Sequence, residues 1–139
     1  MDKRVVPNKV LLEEAGLLLE EGREVSFTPL GNSMLPFIRG GKDSVRLCKK
    51  PSVEVGDIVL ARLPGRYVLH RVVGMEGERL TLMGDGNLVG TETCSRADVM
   101  GTVTAILKGK RTVLPGKGKF WRALKPVRRY ILAIYRRII

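Results

Sequence analysis

The last 32 residues of this chain contain no aspartate or glutamate. From residue 108 to residue 139 it carries eleven lysines and arginines and no acid, whereas residues 1–107 carry fourteen of each sign. The whole net charge of +11 therefore belongs to the C-terminal stretch. Such asymmetry points to contact with an anionic lipid surface or with nucleic acid. Nucleic acid is the weaker of the two, because no helix-turn-helix pattern or aromatic stacking motif accompanies the charge. Aromatic residues make up only 5% of the chain, so any core must be aliphatic. Histidine occurs once, as His70, and cysteine twice, as Cys48 and Cys94, in no metal-binding or redox spacing. No metal and no cofactor are expected, and the two cysteines read as buried free thiols rather than a disulfide. No apolar run is long enough for a membrane span or a secretory leader, and the opening Met1-Asp2-Lys3-Arg4 is polar, with Pro7 close behind. These features point to the cytoplasm, with the basic tail as a peripheral hold on the inner face of a membrane.

What is present fits one domain able to bury a core without disulfides. Three regions follow in order: an N-terminal helix in 1–23, a β core in 24–107, and a basic connector with an amphipathic helix in 108–139. The first helix is expected from Asn8, which can cap it, to Glu21. Val10, Leu11, Leu12, Ala15, Leu18 and Leu19 form its apolar stripe, and Gly22 can end it in a left-handed turn. Strands are expected at 24–28, 44–47, 57–62, 66–73, 79–83 and 99–107, separated by glycine-rich turns, which makes the middle an antiparallel β domain. In the 66–73 strand, Val68, His70 and Val72 share one face, and Tyr67, Leu69, Arg71 and Val73 the other. Residues 108–119 read as a connector. From Phe120 onward, Leu124, Val127, Ile131, Ile134 and Ile138 recur at helical offsets, and Pro126 either starts a helix near Lys125 or kinks a longer one.

The chemistry of interest centres on Ser33, within Gly31-Asn32-Ser33-Met34-Leu35-Pro36. A serine hydroxyl is a weak nucleophile until a base takes its proton, and imidazole is well suited to that task. A carboxylate facing the other ring nitrogen fixes the tautomer. Ser33, His70 and Asp85 supply the three parts. Asp85 lies in the Gly84-Asp85-Gly86-Asn87 turn, just after a strand that can pair with the His70 strand as a hairpin across residues 74–78. Each residue alone also has a plain reading: a turn serine, a strand histidine, an Asp-Gly turn.

The order and flanks of these residues carry a resemblance. Gly-Asn-Ser-Met-Leu-Pro-Phe at 31–37, Val-Gly-Asp-Ile-Val at 55–59, Tyr-Val-Leu-His-Arg-Val-Val at 67–73 and Gly-Asp-Gly-Asn at 84–87 resemble the signal peptidase I and LexA-like superfamily of serine peptidases, over about residues 25–107. The resemblance implies a coiled, antiparallel, barrel-like β core. It makes Ser33 the nucleophile, with its backbone N–H in the oxyanion hole. It makes His70 the general base, as in the archaeal and endoplasmic-reticulum signal peptidases, where other members have lysine. It also implies peptide or protein substrates with small residues before the cut. Two departures stand out. The Ser-His members have a second aspartate a few residues after the Gly-Asp box, where this chain has Gly90 and Thr91. The orienting acid is thus Asp85 or, alternatively, Glu92. The N-terminal membrane anchor of signal peptidases also has no counterpart here.

Three functions are compatible with these residues: a serine endopeptidase, a LexA-like regulator that cuts itself (Ala15-Gly16 being the conceivable bond), and a non-catalytic peptide-binding module on the same fold. The tail has its own alternatives. Its apolar stripe can lie on anionic lipid, pack on the β domain, or join two copies.

Overall fold

The computed structural model describes residues 9–138, without the side chains of Phe120, Lys125, Arg136 and Ile138. It is mainly β, with eight antiparallel strands in a curled half-barrel, flanked by an N-terminal and a C-terminal helical segment. Helix α1 (Lys9–Glu20) turns Ala15, Gly16 and Leu19 inward. Gly22, at φ 85°, ends it: its N–H donates to Leu19 C=O, and the Arg23 N–H to Leu18 C=O. This double bond pattern is the left-handed C-terminal cap expected of a glycine there. The Asn8 cap lies outside the described residues.

The strands are β1 (Val25–Phe27), β2 (Ser44–Cys48), β3 (Ile58–Leu63), β4 (Arg66–Glu76), β5 (Arg79–Met83), β6 (Glu92–Ser95), β7 (Val99–Lys108) and β8 (Arg111–Val113). Their order across the sheet is β1-β2-β7-β3-β4-β5-β6, and β8 pairs with β7. The β4–β5 hairpin forms as expected, with a tighter turn: Glu76 pairs with Arg79, leaving Gly77, at φ 60°, and Glu78 between them. The curl gives the sheet two aliphatic clusters. One, around Leu19, Phe27, Ile38, Leu47, Ile58 and Leu60, closes against α1 and the loop after β1; the other gathers Val59, Ala61, Val68, Val72, Leu80 and Leu82. Aliphatic side chains dominate both, in keeping with the scarcity of aromatics.

Three expectations need correction. Residues 111–113, placed in the connector, form a strand, because Thr112 and Val113 extend the β7 hairpin by pairing with Leu107 and Ile106. Residues 92–95 also form one, although their polar run shows no alternation. The cysteines are free but half-buried, Cys48 on β2 and Cys94 on β6.

The tail is broken at Pro126. Helix α2 (Lys119–Ala123) gives way to a 3₁₀ turn, Lys125–Val127, and then to α3 (Arg128–Ile138). Proline has no N–H for a helical bond, and the chain passes it with short-range bonds instead, Leu124 N–H to Trp121 C=O and Val127 N–H to Leu124 C=O. Trp121 and Leu132 are buried with Leu35 in a third cluster. The tail thus packs on the β domain with one face. Among the described residues no helix is long and apolar enough to cross a membrane.

Two buried aspartates tie the periphery to this frame. Asp57 accepts from the Glu54 N–H (2.9 Å), from Lys50 (3.1 Å) and from Lys117 of the tail. Asp43 is held by Arg39 (2.9 Å) and Lys108 (2.7 Å). Burial pushes both carboxyls upward, but these donors outweigh it and hold each below the usual carboxylate range. A depressed carboxyl stabilises the fold above its unfolded pKa, and that stabilisation is lost as pH falls through the folded value. The thermal midpoint is therefore expected to be level near neutrality and to drop once pH falls below about 4. In a calorimetric series, Asp57→Asn should lower the neutral midpoint and flatten the acid slope.

Candidate functional site

Ser33 lies in the loop between β1 and β2. Pro29, Gly31 and Pro36 keep this segment out of the sheet. Just past Ser33 the chain makes one helical turn, in which the Phe37 and Ile38 N–H groups both donate to Met34 C=O at 3.0 Å. That turn buries Met34, Leu35 and Ile38 and leaves Ser33 half-buried beside a cleft of about 350 Å³. The residues 84–87 turn braces the loop from behind. The Gly86 N–H donates to Ser33 C=O at 2.8 Å, and the Asp85 N–H meets the Met34 sulfur at 3.4 Å. A Cβ at Gly84 would lie 2.3 Å from Ser33 C=O, and one at Gly86 2.3 Å from Asn32 C=O, so only glycine permits this approach. Among the described residues nothing accepts the Ser33 N–H.

His70 lines the same cleft as Ser33. Register decides which acid it meets. Residues paired across strands share a face, and alternate residues along a strand return to it. Val72 pairs with Leu82, and Leu82 with Glu92, so His70, Val72, Leu82 and Glu92 lie on one face. Glu92 reaches diagonally past β5, and the His70 Nδ1–H donates to its Oε1 at 2.7 Å. The other Glu92 oxygen lies 3.9 Å from the Arg66 guanidinium. His70 is buried and Glu92 half-buried. With Nδ1 carrying the proton, Nε2 is left as the acceptor.

Asp85 does not take the orienting position. Arg71 and its partner Met83 lie on the opposite face from His70, and Asp85 follows Met83 by two residues. Its carboxylate accepts from Arg71 Nε at 2.9 Å and Nη2 at 2.7 Å. Both side chains are buried, Arg71 completely. The remaining guanidinium nitrogen, Nη1, donates to Gly56 C=O (2.8 Å) and to Gly116 C=O (3.1 Å), and the guanidinium lies over the Phe37 ring. The Trp121 indole N–H donates to Asp85 C=O at 2.9 Å. Asp85 is therefore the centre of a buried knot that joins β4, the Ser33 loop and the tail. Sequence reasoning gave Arg71 no role and set Trp121, with Phe120, Tyr130 and Tyr135, at lipid headgroup level, whereas Trp121 is buried against Leu35. The available signals were a cation inside an otherwise apolar strand and a single tryptophan in a basic tail.

The cleft also runs along an unpaired strand edge. β5 pairs β4 only from Arg71 to Glu76, while β3 pairs it from Arg66 to Arg71. Val72 exchanges its backbone bonds with Gly56 and Asp57 on the β3 side. By the alternation of antiparallel bonding, Tyr67 and Leu69 turn their N–H and C=O groups to the other side, where no described strand pairs with them. The adjoining lining includes the apolar side chains of Leu12, Phe27, Leu30, Met34 and Leu60.

No protein-family model matches the chain, and no curated protein matches it in sequence.

Proposed function

We propose that the chain is a serine endopeptidase of the signal peptidase/LexA type, with Ser33 as nucleophile, His70 as general base and Glu92 as the acid that orients it. The observation that carries this reading is the His70 ring, bonded through Nδ1 to a carboxylate at 2.7 Å and lining one cleft with Ser33. In the reaction, Ser33 Oγ attacks a peptide carbonyl while His70 Nε2 takes its proton. The imidazolium then protonates the departing amine as the C–N bond breaks. A water molecule, deprotonated by the same nitrogen, cleaves the acyl ester and regenerates Ser33. Glu92 stabilises the imidazolium between these steps. The Ser33 N–H is the donor available to the oxyanion, a kind of contact worth about 3 kcal/mol. No metal or cofactor enters the scheme. The substrate is an extended peptide or protein segment that adds to the free β4 edge, bonding to Tyr67 and Leu69.

The self-cutting alternative is disfavoured by position: Ala15 and Gly16 are buried within α1, and their bond is reachable only if that helix unwinds. The same reading places the enzyme peripherally on the inner face of a membrane, held through residues 120–139.

A fluorophosphonate probe tests the chemistry. The protein should be labelled at Ser33, and labelling should vanish in Ser33→Ala and fall to background in His70→Ala. A wild-type protein that stays unlabelled, while a control serine hydrolase reacts, would reduce the molecule to a binding module.

A further inference from the structure

The tail meets the β domain with only part of its surface. On α3, Arg128 and Leu132 are buried and Tyr135 half-buried, at offsets of four and seven that define one helix face. A second stripe is left in solvent. Val127 is 44% exposed, Tyr130 65%, Ile131 36% and Ile134 65%, at offsets of three, four and seven. Four large apolar side chains in a row, each at least 36% exposed, mark an interaction surface. Arg137 borders it next to Tyr130, with Arg129 farther round the helix; both are exposed and meet no carboxylate among the described residues, and the sequence offers none after residue 107. Next to the helix, the Arg128 guanidinium reaches Asn87 C=O, and Leu88 and Val89 follow that residue with 39% and 81% of their surface exposed.

We infer that this stripe docks α3 in the plane of an anionic bilayer, with Tyr130, Ile131 and Ile134 in the headgroup–acyl boundary and the arginines on the lipid phosphates. The inference rests on the membrane location proposed above and names the surface responsible. Charge complementarity selects the occupant. A second copy would bring two strongly basic tails together with no acid between them. Nucleic acid would satisfy the arginines but leave the apolar row in water. An anionic lipid surface satisfies both. At eleven residues, α3 is too short to span a bilayer, so it lies along the surface. It sits on Leu35, two residues from Ser33, which brings the nucleophile loop close to the lipid.

Co-sedimentation of the full chain with vesicles tests this. Binding is expected to phosphatidylcholine vesicles containing phosphatidylserine and not to phosphatidylcholine alone, and it should weaken with salt. Tyr130→Ser/Ile134→Ser, on the exposed stripe only, should weaken it at least tenfold with the thermal midpoint unchanged. Arg137→Gln should weaken it by roughly fivefold. No vesicle binding by the wild type, or binding that the Tyr130→Ser/Ile134→Ser protein retains in full, would overturn the proposal. So would tight binding to nucleic acid in place of vesicles, or a dimer in buffer that the same variant dissolves. Probe labelling of Ser33 should persist in every one of these variants, so failure of the docking surface and failure of the peptidase reading are separately visible.

Discussion

Replacing Glu92 by glutamine is expected to slow acylation of Ser33 by a factor on the order of 10³–10⁴ with little loss of stability. Glutamine keeps the shape of the side chain and removes its charge. The Arg66 guanidinium, 3.9 Å from one carboxylate oxygen, favours the amide oxygen on its own side. That turns the amide N–H₂ toward His70 Nδ1, which must then accept rather than donate. The proton moves to Nε2, the nitrogen that should receive the serine proton, and the base is lost. The imidazolium also loses its neighbouring negative charge. Glu92 lies on the edge strand β6 and its side chain is 17% exposed, so the fold should tolerate the change. Stopped-flow acylation by the fluorophosphonate probe, beside a urea unfolding curve, separates the two effects. An unchanged rate in a folded Glu92→Gln protein would remove Glu92 from the mechanism. Asp85→Asn should give the opposite pattern, a clear loss of stability, because its carboxylate serves Arg71.

Arg71→Met is expected to destabilise the protein by about 3–5 kcal/mol, the usual result of leaving a buried charge without its partner. Asp85 is 2% exposed, and Arg71 supplies all of its side-chain hydrogen bonds. Gly56 and Gly116 C=O lose their donor in the same step. Against a typical total of about 5–15 kcal/mol, this is a large share. The double variant Arg71→Met/Asp85→Leu should recover much of the loss, because a buried pair replaced by apolar groups no longer carries an unmatched charge. Urea midpoints of the three variants measure this. Equal destabilisation by Arg71→Met and by the double variant would mean that the ion pair is not the origin of the cost.

Much of the β core was legible because its strands alternate or are continuously apolar. The stretch 66–73 read as a strand through Val68, His70 and Val72 on one side, and it pairs from Arg66 to Val72, with Val73 in a bulge. Gly22 marked the end of α1 because only glycine takes its positive φ at no steric cost. Strand β6 was hidden: its sequence, Glu-Thr-Cys-Ser, has neither apolar alternation nor a run, and pairing with β5 alone defines it. That omission left the choice between Asp85 and Glu92 open. A residue's neighbours depend on its partner across the sheet, and no local pattern reports that Glu92 pairs with Leu82, ten residues before it. The tail was ambiguous for another reason. Its apolar residues cover more than half of the α3 circumference, so helical spacing alone could not tell Leu132, which is buried, from Ile134, which is not. Only the docking of Trp121 and Leu132 on Leu35 separates them.

Trp121 is the chain's one indole, and it stands where the tail meets the nucleophile loop. Its ring is wedged edge-on to Phe37, beneath the Arg128 guanidinium, with its N–H spent on a backbone oxygen. The molecule thus has a built-in optical gauge. Ultraviolet emission excited at the red edge of the absorption band, beyond the reach of the three tyrosines, comes from this junction alone. It would shift toward longer wavelength whenever the tail lifts, so the seating of the last helix can be followed in real time without attaching a dye.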